Sequence, residues 1–137
     1  MKKFVSVTFV VLALLIPGIV SGQSTSPLLY ELLERPVFLK SWQALFSNEK
    51  NVPSWLSGFA ATGNGVTSPG KKITLGGQHY LTGNVCKPHD CGSNQFYVLF
   101  TENGEHAWGF LLVNFKIERF FNQPDTEKQT ALRTIGQ

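Results

Sequence analysis

Two cysteines and a histidine fall within six residues, Cys86-Lys87-Pro88-His89-Asp90-Cys91, in a chain that has only two cysteines and three histidines in all. Four kinds of chemistry compete for this segment. As a metal site, Cys86, His89 and Cys91 would supply three ligands, but a structural zinc centre takes four and no second spaced pair follows. As a nucleophile and base, one cysteine would have to stay a free thiolate beside His89, and the second thiol competes for it by pairing. As a staple, a Cys86–Cys91 bond would close a hairpin end and leave Lys87, His89 and Asp90 facing water. As a plug, a tip pinned by the bond and by the fixed φ of Pro88 would lose little entropy on entering a partner's cleft. A protonated imidazole donates from both nitrogens, so His89 can bridge two carboxylates with charge-assisted bonds. Glycoside hydrolases of the lysozyme type carry such a pair. Lys87 would then add positive charge at the rim, and Asp90 would orient the ring or cap loop backbone donors.

The N-terminus bears on the cysteines. Met1-Lys2-Lys3 is a positive start, Phe4 to Val20 carries no charge, and Val20-Ser21-Gly22 offers small or short residues at a cleavage site. Residues 1–22 are therefore expected to be a removed secretory signal peptide, leaving residues 23–137 as one exported domain. The apolar stretch contains Ser6, Thr8, Pro17 and Gly18 and is marginal for a membrane span. No membrane association is expected after cleavage. In an oxidising compartment a close cysteine pair defaults to a disulfide.

The elements that must hold the segment follow from periodicity. Leu28 to Leu33 is apolar and Pro36 interrupts a helix starting there. Phe38, Trp42, Leu45 and Phe46 recur at helical spacing, which predicts a helix over about Val37 to Asn48 with Trp42 in the core. Ala60 to Gly70 reads as a surface loop. Strands are predicted at Lys71 to Leu75, Gln78 to Val85, Asn94 to Thr101, about His106 to Phe115, and Lys116 to Phe121. Gly76-Gly77 and Asn103-Gly104 mark hairpins. A last helix is expected after Gln123-Pro124-Asp125, with Ala131, Leu132 and Ile135 on its apolar face. Phe96, Val98 and Phe100 alternate with Tyr97 and Leu99, so both faces of that strand are apolar, and either a second layer or a partner must cover the second face. The class is α+β, a central antiparallel sheet of about five strands flanked by helices.

Charge narrows the partners. Without Lys2 and Lys3 the twelve basic residues become ten, against nine acidic ones. The remaining basic residues are scattered, so a nucleic-acid-binding stripe is not expected. Asp90, Glu102 and Glu105 would help steer a basic partner only if they share one face. His79 and His106 are expected at the surface, and Gly92 is expected to supply an unusual backbone angle where the chain leaves the loop.

Cys86 to Gly92 (Cys-Lys-Pro-His-Asp-Cys-Gly) resembles the signature loop of the inhibitor of vertebrate lysozyme (Ivy) family. The order of the predicted helix, Pro53-Ser54-Trp55, Lys72-Ile73-Thr74-Leu75-Gly76, Tyr80 and the loop is also similar, over roughly Val37 to Val113. The resemblance implies a periplasmic, non-enzymatic inhibitor of c-type lysozymes from a Gram-negative bacterium, with helices on one side of the sheet. It makes Cys86–Cys91 the loop disulfide, His89 the residue that contacts the catalytic carboxylates, and Lys87, Pro88 and Asp90 its flanks. It implies no cofactor and no metal. Some members form homodimers, and nothing in this sequence decides that here. Because the exported chain is near neutral while such lysozymes are basic, the organism's own lytic transglycosylases stay open as a second target. An exported thiol or metal enzyme using Cys86 and His89 is the alternative of another class.

Overall fold

Pro36 divides the first apolar stretch into two helices, α1 (Leu29–Leu33) and α2 (Pro36–Phe46). It sits in the first turn of α2, where its missing N–H leaves no helical bond unmade, and it holds Arg35 extended (φ −86°, ψ 121°). The structure, a computed structural model, describes residues 26–137, so the expected leader and its cleavage site lie outside the described residues. At the start of α1 the Leu28 N–H donates to Glu31 Oε2 at 2.6 Å. α2 buries Phe38, Trp42 and Leu45 one turn apart. Two single-turn helices follow, α3 (Ser54–Ser57) and α4 (Phe59–Thr62), the latter ending at Gly63 with φ +64°. The expected loop thus begins as a helical turn, because Leu56 and Phe59 are buried and carry that turn into the core.

Five strands form an antiparallel meander in chain order: β1 (Lys72–Leu75), β2 (Gln78–Cys86), β3 (Asn94–Thr101), β4 (Ala107–Val113) and β5 (Ile117–Phe121). Gly76 and Gly77 both take positive φ, the primed turn whose twist matches the strands, and Leu75 pairs with Gln78 across it. Among the described residues no helix is long and apolar enough to cross a membrane.

Alternation along β3 decides the layering. Phe96, Val98 and Phe100 point into one core with α1 to α4, where the Phe96 ring meets Trp42 at 5.5 Å and Phe121 at 5.6 Å, both edge-to-face. Tyr97 and Leu99 point the other way, into a second core with Tyr80, Phe110 and Leu132. That second face is covered by α5 (Thr126–Ile135), capped by Asp125, whose carboxylate accepts the Lys128 N–H at 2.9 Å. The α+β class and the five antiparallel strands are as expected. The one-sided placement of helices holds for α1 to α4 and is corrected for α5, because a strand apolar on both faces needs a layer on each.

Candidate functional site

β2 and β3 pair without interruption from Tyr80↔Thr101 to Cys86↔Gln95, so the segment between them projects from the end of a rigid ladder. Its base is closed three ways. Cys86 and Cys91 are disulfide-bonded, with their Cα atoms 4.9 Å apart. The Lys87 N–H donates to the Asn94 carbonyl at 3.1 Å. On the other flank Cys86 forms a two-way bridge with Val66, at 2.9 and 3.2 Å. The sulfurs are bonded to each other, so neither thiolate is available as a nucleophile or a zinc ligand, and both the thiol-enzyme and the metal readings lose their groups.

Within the loop, the Asp90 N–H donates to the Lys87 carbonyl at 3.1 Å, closing a four-residue turn with Pro88 and His89 at its centre. His89 has φ +63°. Proline followed by a left-handed residue is the pattern of a type II turn, whose third position favours glycine or asparagine. The unusual backbone angle therefore falls on His89 and not on Gly92, which does not take positive φ. The imidazole is exposed and has no side-chain hydrogen bond among the described residues.

The flanking residues hold the tip. The Asp90 carboxylate accepts from Asn94 Nδ2 at 2.7 Å and lies 3.6 Å from Lys87 Nζ. It thus ties the loop to β3 rather than orienting the His89 ring or capping backbone donors. The Lys87–Asp90 pair is exposed and adds little to stability. Gln95 Nε2 donates to the Cys91 carbonyl at 2.9 Å, while Tyr97 donates its hydroxyl to Gln95. Asn94 and Gln95 thus extend the site into β3. Only their position at the start of the strand that follows the second cysteine marked them in the sequence.

The other singled-out residues lie elsewhere. His79 shares a 3.0 Å hydrogen bond with Thr74 and His106 lies beside Trp108, both exposed as expected. Glu102 and Glu105 sit in the β3–β4 connection, at the opposite end of the sheet from Asp90, so the three acids do not share one face. A hydrogen bond from Lys72 holds the Glu102 carboxyl below its usual range.

The chain is thus a small α+β domain that extends one disulfide-closed, hydrogen-bonded turn from the end of its sheet. The chain belongs to the Inhibitor of vertebrate lysozyme (Ivy) family, whose model matches residues 37–133. It is 41% identical over 83 residues to an inhibitor of vertebrate lysozyme from Pseudomonas aeruginosa, covering 61% of this chain and 52% of that one. An uncharacterised Yersinia pestis protein is 38% identical over 95 residues, 68% of this chain and 59% of that one. An inhibitor of vertebrate lysozyme from Escherichia coli K12 is 33% identical over 58 residues, 42% and 34% of the two chains. The chain thus spans between a third and three fifths of the length of these relatives.

Proposed function

We propose that this protein is an exported, periplasmic, non-enzymatic inhibitor of c-type lysozyme that occludes the active-site cleft with the Cys86–Cys91 loop. His89 enters between the catalytic carboxylates, and Lys87, Pro88 and Asp90 shape the tip around it. The observation that carries this reading is the exposed imidazole of His89, held at the apex of a turn that Pro88, the disulfide and the Asp90–Asn94 bond fix before any partner arrives. Such preorganisation lowers the entropy lost on binding. In a lysozyme cleft one carboxyl has its pKa raised to about 6 beside an ionised partner, so an imidazole with two nitrogens meets one group of each kind.

The test is inhibition of hen egg-white lysozyme lysing a bacterial cell suspension, by residues 23–137 with and without prior reduction, and by His89→Ala. Hot-spot truncations cost about 2 kcal/mol or more, so His89→Ala is expected to weaken inhibition at least about 30-fold with circular dichroism unchanged. Inhibition by the wild type that falls on reduction supports the rigid loop. An unchanged inhibition constant for His89→Ala defeats the mechanism. Inhibition of a lytic transglycosylase but not of lysozyme transfers the reading to that second target.

A further inference from the structure

The loop occupies only the middle of its end of the sheet. At that end the pairs Val66↔Cys86, Cys86↔Gln95, Gln95↔Leu112 and Leu112↔Glu118 form one row across the strands, and Ile117 is the next residue along β5. At about 4.8 Å per strand this row spans roughly 19 Å. The β4–β5 turn is tied to the loop itself, since the Asn114 N–H donates to the Ser93 carbonyl at 2.7 Å. Five large hydrophobic residues are exposed on the described surface, and the three most exposed are all here: Phe115 at 70%, Ile117 at 60% and Val66 at 53%. Val66 lies on one flank of the polar tip, in the row of Cys86 and Gln95 on the α5 face, while Phe115 and Ile117 lie together on the other flank, with Ile117 in the adjacent row beside Val113 on the opposite face.

Phe115 is also held against its own backbone preference. The Lys116 N–H donates to the Val113 carbonyl at 3.1 Å, and the two residues between, Asn114 and Phe115, have φ +52° and +56°. That primed turn favours Asn-Gly. Asn114 fits it, but a bulky aromatic at positive φ is an outlier. The ring recovers little by burial, since 70% of the residue stays exposed. A residue that destabilises its turn and exposes an aromatic ring beside a binding loop has the character of an interface anchor.

We infer that Phe115, with Ile117 beside it, forms a second contact surface that seats on the rim of the same enzyme cleft that receives His89. This rests on the lysozyme reading. A six-residue loop is too small to supply the roughly 800 Å² per partner of a stable complex. The missing area must come from residues that flank the tip, and these are the apolar ones there. Aromatic residues, phenylalanine included, are enriched at the buried centres of protein interfaces while most charged residues are depleted there, which suits Phe115 as an anchor.

Phe115→Gly tests this with opposite signs for fold and binding. Glycine suits the turn, so the thermal midpoint is expected to hold or rise, while Kd for hen egg-white lysozyme, measured by calorimetry, is expected to weaken about tenfold or more. Phe115→Asn, also at home at positive φ, should weaken binding likewise. Wild type and His89→Ala are measured in parallel. If wild type binds, His89→Ala fails and Phe115→Gly stays within twofold of wild type, the second surface is overturned and the loop reading survives. If wild type does not bind lysozyme, the lysozyme reading falls and takes the second surface with it.

Discussion

His89 serves two demands that favour different residues. The turn favours glycine or asparagine at its left-handed position, while the proposed chemistry needs an imidazole there. Histidine is among the non-glycine residues that tolerate this region, which lowers the conflict without removing it. Substituting His89→Gly should therefore raise stability, by about 1 kcal/mol, while inhibition is lost. His89→Asn should match wild type in urea denaturation and equally fail to inhibit. A fall in stability for both variants would mean that the ring makes contacts that its exposure denies. The identity of this residue was legible because it lies between two cysteines and beside a proline. Its backbone angle was not, because Gly92 is the residue that composition nominates, and only the Lys87–Asp90 turn shows where the reversal occurs.

The elements separate into those with their own local signal and those defined by what they pack against. The Gly76-Gly77 hairpin, the aromatic strand β3 and the helix bearing Phe38 and Trp42 all lie where turn chemistry and periodicity put them. The β4–β5 turn does not, since Phe115 reads as a strand residue and only Asn114 hints at a reversal. The short helices α3 and α4 sit among glycines and polar residues, and their turns exist because Leu56 and Phe59 reach the core. The Asn103-Gly104 signal carries a further constraint. Gly104 has φ +78°, and a Cβ there would lie 2.6 Å from two atoms of the Phe38 ring, itself fully buried on α2. The β3–β4 connection thus presses backbone against the helix layer. Gly104→Ala combines a strained φ with overpacking and is expected to cost about 2–4 kcal/mol in urea denaturation. Because this connection lies at the far end of the sheet from His89, the variant at low temperature should keep a native inhibition constant. Loss of inhibition without loss of stability would contradict that separation.

At the scale of the whole molecule, the domain is a sheet clamped between α1 to α4 and α5, and the α5 side carries the groups most sensitive to alkali. Tyr97, on β3 under α5, has its phenol pKa pushed above the usual value near 10 by burial. Lys128, at the start of α5, is raised above its usual range, chiefly by its bond to the Asp125 carboxylate, and its Nζ lies 4.9 Å from the Trp108 ring centroid. Both groups hold their protons more tightly folded than unfolded. Their contribution is therefore complete below the unfolded pKa values, near 10, and is lost as pH rises through the folded ones. Asp125 runs the other way. Its carboxyl is lowered by the bond from Lys128, so its contribution is present above the usual carboxylate range and disappears as pH falls through its folded pKa. The thermal midpoint should consequently be flat between about pH 5 and 9, decline gently in acid, and fall above about pH 10. Tyr97→Phe keeps the ring that stacks at 6.2 Å on Phe110 and removes the ionising hydroxyl, so its midpoint should fall less steeply than wild type between pH 9.5 and 11.5. Lys128→Met should flatten the same limb by the other route. If Tyr97→Phe declines as steeply as wild type over that range, the seam between α5 and the sheet does not set the alkaline limit, and the helical layer on the opposite face becomes the place to look.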